Sequence, residues 1–461
     1  MKRITRRTWL AGTAGAMAAP LIAPTALAQR ASQENFALGL AAEYVKIAQE
    51  TENERGLWGR IGGSAAERKA TYAFARQIAQ YVDEVGTETF TFNAHRPDSW
   101  TLRIQGGARL RTAMPAPFDA RFPDGRSSAP VKAIEEEADW DHVDGCWVYV
   151  ELEEIGRNNV RDNLLYQRAV SANAAGLLFS LPATLGSQRW RAVLPVDKPY
   201  AVHDARYPDG HRPIPCFCID AADGRSVAAA TVKEAEIVSL IQYAEETELE
   251  AKNAVGMLSG SGDMNILLTA HLDSFFQGAN DDASGLATMA MVARRLSELP
   301  IESRNATIWF AACAAHHDRG EGLRAFVNED PARFEALNAC IAIEHVDAQL
   351  GPEGKEAGWP DTLNERRAAF VGPNGWPEIE AVLPELVQET GLMNSAPPVR
   401  KACISDLHVV CADKPTFCLI QSPPYYHTDH DTLDKITGEG ILNAAEFHLR
   451  ILETIGAVDL G

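Results

Sequence analysis

The sequence predicts an α/β protein, with a mixed or parallel sheet carrying helices on both faces and a smaller β-rich unit inserted into it. Three observations lead there. Residues 266–296 run from apolar Ile266-Leu267-Leu268 through a polar loop into Leu286, Met289, Ala290, Ala293 and Leu296, which recur at helical spacing. The alternation continues to the C-terminus, with strand-like runs at 306–312, 338–343 and 416–421 and helical patterns at 322–336 and 439–455. Between about 121 and 245 the loops become rich in Pro, Asp and Arg, which marks a second unit.

Taken in order, the chain of 461 residues exceeds what one hydrophobic core usually serves, so two or three domains are expected. Residues 1–28 have a basic start with Arg6-Arg7, a weakly apolar stretch and Ala26-Leu27-Ala28 as a cleavage site. This is the pattern of a twin-arginine export signal and predicts a periplasmic or secreted protein. No run reaches the roughly 18 to 20 apolar residues that span a bilayer, so membrane insertion is not expected.

Residues 29–120 form the first part of the main domain. A helix is expected over 35–57, and Ser64-Ala65-Ala66-Glu67 is a capping box that opens a second one. Its apolar face carries Tyr72, Phe74, Ile78 and Tyr81, and Gly86 ends it. Strand-like residues 87–94 lead to a proline-rich boundary. The inserted unit, 121–245, has strands at 146–152, 176–180 and 214–220 and a helix over 163–175. Its histidines, His142, His203 and His211, stand singly and read as solvated or structural. Residues 246–461 return to the α/β pattern.

The formal charge of −20 disfavours nucleic acid or an anionic membrane surface as a partner. Oligomeric state leaves no mark on the sequence. Eight cysteines spread over so long a chain are not a disulfide scaffold, although Cys403 and Cys411 are a candidate pair in an oxidising compartment. Cys216-Phe217-Cys218 lacks a second pair at zinc-ligand spacing.

Each strand of the main domain ends in polar residues. The first gives His271, Asp273 and Asp281, the second His316, His317 and Asp318, the third Glu344, His345 and Asp347, and the last leads to Tyr426-His427-Thr428-Asp429-His430-Asp431. Ligands of open α/β sheets bind beyond the carboxyl ends of the strands, and imidazole and carboxylate are natural zinc ligands. Four such ends point to a metal site. A serine nucleophile at Gly62-Gly63-Ser64 is disfavoured, since Ala66 replaces the second glycine of the elbow and a helix cap explains Ser64.

The motifs HLDS (271–274), GANDDASG (278–285), Ser405-Asp406 and YHTDHDTLD (426–434) resemble those of the co-catalytic dizinc aminopeptidases of clan MH, which include the bacterial leucyl aminopeptidases. The inserted unit, with its strand, helix, Ala-Ala-Gly, strand and Ile-Pro-x-x-x-Ile, resembles the protease-associated (PA) domain. The resemblance implies a zinc-peptidase fold in which His271 ligates one metal, Asp281 bridges both and His427 ligates the other. Asp273 would orient a ligand, and Tyr426 would donate to the oxyanion.

One departure is local. Where the family has a Glu-Glu pair, general base and then ligand, this chain has His316-His317. His317 is then the expected ligand and His316 the candidate base; without it, water activation falls to Asp318, Glu321 or the metal alone. The family's next ligand, an Asp, aligns with Glu344, 27 residues beyond His317, with His345 and Asp347 as alternatives. The cofactor implied is Zn2+, one or two ions, or another divalent transition metal. The function implied is exported, metal-dependent hydrolysis of a peptide or small amide, most simply by an aminopeptidase. The alternatives are a catalytically inactive binding protein of the same fold and a hydrolase retuned for a non-peptide amide.

Overall fold

Apolar runs without polar alternation should be buried on both faces of a parallel sheet, and the four such runs form its centre. Met264–His271 pairs in parallel with Ala306–Cys313 on one side and Ala339–Ala342 on the other, and the latter pairs in parallel with Thr416–Gln421. Antiparallel strands flank them, Glu248–Leu258 and then Glu84–Asn93 at one end and Arg367–Val371 at the other. With Ile4–Thr5 and Val399–Lys401 at the edges this is a mixed sheet of nine strands. The computed structural model describes residues 4–5, 26–52, 57–94, 96–107, 109–115, 125–152, 159–180, 214–243, 248–349, 367–421, 423 and 425–461. Arg6, Arg7 and the apolar stretch after them, with His203 and His211, lie outside these.

Helices cover both faces, as the periodicities predict. Ala26–Gln49, Ala65–Ile78, Ser284–Glu298, Pro377–Glu389 and Gly438–Thr454 pack on one, where Leu286, Met289, Ala290, Ala293 and Leu296 are all buried. On the other, Leu323 and Phe326 of Glu321–Glu329 meet Leu267 and Ala311. No helix among the described residues is long and apolar enough to cross a membrane.

Several boundaries differ from the expected ones. The first helix runs from Ala26, across the expected cleavage point, to Gln49 rather than over 35–57. It stops there because the Thr51 hydroxyl donates to Ala48 O at 2.7 Å and accepts from Gly59 N at 2.9 Å, drawing the chain into a turn. The second ends at Ile78, and Gly86 lies inside the strand, paired with Val255. Tyr72 faces solvent rather than the core. The expected helix 322–336 is two, Glu321–Glu329 and Pro331–Ala336: Pro331 cannot continue the first, and the Asp330 side chain accepts from Arg333 N to start the second.

A second sheet, of seven strands, contains the parallel set Gly125–Ala133, Trp147–Glu151, Gly176–Ser180 and Cys216–Ile219. Its helices are Asn159–Ser171 and Ala221–Thr231. Pro97–Ile104 and Met114–Pro115, which precede residue 121, belong to it as well. Its core, built on Trp147, Phe179 and Phe217, also takes in Trp58, Phe275 and Phe276 from the main unit. Cys216 and Cys218 are buried in one of its strands, and His142 is exposed.

Away from the site, His448 is buried in the last helix, where its Nδ1 donates to Ala444 O at 2.7 Å. Burial pushes its pKa down to about 4, below the ordinary value near 6.5. The unfolded chain therefore binds a proton between those values that the folded chain refuses, so stability is full above pH 6.5 and falls as pH drops towards 4. Two and a half pH units correspond to about 3 kcal/mol. Urea titrations of the wild type and His448→Gln at pH 7 and pH 4.5 should show a smaller acid loss in the variant; equal losses would remove His448 as the cause.

Candidate metal centre

Because the central strands are parallel, their carboxyl ends share one edge, and the residues just past them meet there. His271 is the last residue of its strand, completely buried. Its Nδ1 donates to Asp273 O at 2.8 Å, which leaves the Nε2 lone pair 3.0 Å from Asp281 Oδ1. This is a close contact with a carboxylate oxygen. His317 is fixed in the same sense, with Nδ1 donating to Asp273 Oδ2 at 2.7 Å and Nε2 facing inward. Its Nε2 lies 3.0 Å from His427 Nε2 and 3.7 Å from Asp281 Oδ2. His427 Nε2 is 3.1 Å from that same oxygen.

Acceptor atoms therefore converge. An imidazole whose Nδ1 proton is committed to an oxygen offers a lone pair at Nε2 when neutral. The His317 and His427 Nε2 atoms, 3.0 Å apart beside a carboxylate, repel when both carry lone pairs unless a cation or a proton lies among them. Three overlapping groups have ligand atoms within 4.8 Å of one another: His271 with Glu344 and His345, His271 with Asp273 and His317, and Asp281 with His317 and His427. Asp281, in contact with all three groups' histidines, is held well below the carboxylate range, since His345, His271 and His317 outweigh the effect of burial. The donor set suits zinc: buried imidazole and carboxylate, with backbone carbonyls setting the tautomers of His271 and His345 and the Asp273 carboxylate that of His317.

The outer contacts explain the order. Asp273 Oδ1 accepts from His316 N at 2.8 Å and its Oδ2 from His317 N at 2.9 Å, so this side chain aims the pair, as expected of it. Asp282 accepts from the backbone N–H of His271, His345 and Gly285, tying three segments together. A side chain at Gly285 would strike Asp282 and Ile343 O, so only glycine fits there. Asp431 accepts from Asn280 N at 2.8 Å and Asp281 N at 3.0 Å, which fixes the Asp281 backbone. Left-handed backbone at Ala315, His345, Ser405 and His427, with φ of 53, 47, 61 and 59°, turns the chain sharply into the site.

The third strand end is now ordered. Glu344 accepts from Ser405 Oγ and stays within the cluster, as does His345. Asp347 points elsewhere and accepts from Thr437 N at 2.6 Å and Thr437 Oγ1 at 2.9 Å. His316 stacks on His271, with ring centroids 4.0 Å apart, and donates from Nδ1 to Asp406 Oδ1 at 2.7 Å. Burial alone would lower its pKa, but Asp406, Glu344 and Asp273 raise it well above the ordinary value. Tyr426 stacks on His427 at 3.6 Å. Of the reserve bases, Asp318 is paired with Arg96 at 2.5 Å, and Glu321 lies 3.7 Å from Arg324.

Sequence reasoning assigned no role to Asp406 itself or to Arg60, and to Glu67 only that of a helix cap. Glu67 is fully buried, and its Oε1 accepts from Ala315 N, the residue before the His pair. Ser64 caps as expected, but Glu67 reaches Gly63 N instead of Ser64 N. Arg60 donates to the carbonyls of Tyr44, Leu272, Gln277 and Gly278 and so fixes the loop between His271 and Asp281. The expected bridge Cys403–Cys411 is present, closing the loop that carries Ser405 and Asp406.

Residues 253–452 match the model of peptidase family M28. A zinc aminopeptidase from Bacillus subtilis superposes with a TM-score of 0.66 at 16% identity, over 91% of this chain and 94% of that one. A peptidase M28 precursor from Shewanella amazonensis gives 0.65 at 18%, over 94% and 98%, and an aminopeptidase from an Aneurinibacillus strain gives 0.56 at 17%, over 92% and 95%. These likenesses show the fold. No curated protein sequence matches the chain.

Proposed function

Residues 253–452 belong to peptidase family M28 and make this chain a metallopeptidase, and from that premise we propose an exported, zinc-dependent aminopeptidase. The observation that supports it best is the convergence of the His271, His317 and His427 Nε2 atoms on the two oxygens of Asp281. His271, Asp281, Glu344, His317 and His427 are the proposed ligands. Bound there, one or two divalent ions would polarise the scissile carbonyl and lower the pKa of water.

This chain's own residues supply the rest. Asp406 fixes His316 with its proton on Nδ1, so Nε2 is the atom that takes a proton from the attacking water and returns it to the leaving amine. Asp273 holds His316 and His317 in register. Tyr426, stacked on a ligand, is the proposed oxyanion donor. The second sheet with its helices is proposed as the inserted PA domain, which shapes access and supplies no ligand. The twin-arginine pattern supports export.

The experiment is hydrolysis of a panel of aminoacyl anilides and short peptides by the purified protein, with and without a chelator. Turnover that a chelator abolishes and Zn2+ restores is the expected result. Metal-loaded protein that cleaves none of them would favour the inactive binding protein. The raised pKa of His316, held up by Asp406, favours that second reading, since it shifts the imidazole towards the form that accepts no proton.

A further inference from the structure

His345 was one of three alternatives at its strand end, and its environment says more than that. Its Nδ1 lies 2.9 Å from Gln421 O, and a carbonyl only accepts, so the proton sits on Nδ1. Its Nε2 lies 2.9 Å from Asp281 Oδ1, the same oxygen that His271 Nε2 approaches at 3.0 Å. His345 is buried, its backbone is in the left-handed region, and its N–H is anchored to Asp282 Oδ1 at 3.2 Å. The ring is therefore held on this oxygen rather than resting there by chance. Glu344 offers a carboxylate oxygen to the same cluster.

We propose that the two halves of the centre are unequal, because His345 is a ligand that closes the first of them. The first half would draw on His271, His345 and Glu344, whose ligand atoms lie within 4.8 Å of one another, and on Asp281 Oδ1, which lies 3.0 and 2.9 Å from the two imidazole Nε2 atoms. Four is the full complement of a structural zinc site. The second half has three, His317 Nε2, His427 Nε2 and Asp281 Oδ2, and keeps the open position that a catalytic site needs. The first ion is then tightly held and structural, whereas the second exchanges and meets substrate. Four imidazoles among the donors also select zinc, cobalt or copper over magnesium and calcium. The inference rests on the metal reading above. Its rival is a protonated His345 that is ion-paired to Asp281 and ligates nothing.

The test is metal titration of the stripped full-length protein, with Zn2+ by calorimetry and Co2+ by visible absorption, comparing wild type, His345→Ala and His345→Gln. Wild type should take up two ions in two distinct steps, and the first equivalent of Co2+ should give the intense spectrum of a four-coordinate ion. Both variants should weaken the first step by more than about 100-fold, beyond the 10- to 100-fold cost of losing an outer partner. The second step should change far less. Should neither variant fold, the wild-type Co2+ spectrum decides alone. Equal steps, a weak five- or six-coordinate first spectrum, or a loss within 100-fold in the variants overturns the inference and leaves the peptidase reading intact. A wild type that binds no ion overturns both.

Discussion

Asp281→Asn is expected to yield a folded protein that retains neither ion and hydrolyses substrate at least about 10⁴-fold more slowly in kcat/KM. An amide has one carbonyl oxygen, a far weaker ligand than carboxylate, so it cannot serve His271 and His345 on one side and His317 and His427 on the other. Loss of both ions removes several kcal/mol of transition-state charge stabilisation, and each 1.36 kcal/mol is tenfold in rate. Metal analysis after gel filtration, run beside the rate assay, checks the assignment. Two ions per chain in the variant would remove Asp281 as the bridge.

The second large effect separates the adjacent histidines. His316→Ala should lower kcat by roughly two to four orders of magnitude with metal still bound, the usual size of a general acid-base contribution. His317→Ala should instead weaken metal binding, so that excess Zn2+ recovers part of the activity. An active wild type indifferent to His316→Ala would take His316 out of the mechanism. With Asp318 paired to Arg96, proton transfer would then have to run through Glu321 or the metal alone. Restoring the family's pair is less simple than it looks. His316→Glu sets a second carboxylate against Asp406, whose Oδ1 now lies 2.7 Å from the ring, and two carboxylates that close must share a proton. The double change with His317→Glu should therefore need Asp406→Asn as well to perform at its best.

The architecture of the main unit could be read from the sequence because its strands are buried on both faces and end abruptly in polar residues. Not every strand with mixed exposure was legible. Glu248–Leu258 begins with alternating charged residues at Glu248, Glu250 and Lys252, and only its pairing with Glu84–Asn93 makes it a strand. The break at Asp330-Pro331 was visible as a capping residue before proline, and periodicity across it misled. In the site, the proposed ligands were legible as candidates, because each lies at or beyond a strand end. Apart from Asp273, their supports were not: Asp406 meets His316 across 90 residues, and Glu67 meets Ala315 across 248. Nothing local in a sequence announces such pairs. The stacking of His316 on His271 likewise follows only from the left-handed turn at Ala315.

Phe275 and Phe276 sit between His271 and Asp281, yet they are buried in the core of the second sheet. The two halves of the molecule are for that reason not interchangeable cassettes. A recombinant that exchanged the second unit for a foreign one would have to offer a socket for two phenyl rings at this point. Without it, roughly 300 to 500 Å² of aromatic surface would meet water, a penalty on the order of 10 kcal/mol. The penalty would fall on the few residues whose spacing fixes the site. Drift in the interior of one half is thus constrained by the chemistry of the other, and lineages that vary one should be found to vary both together.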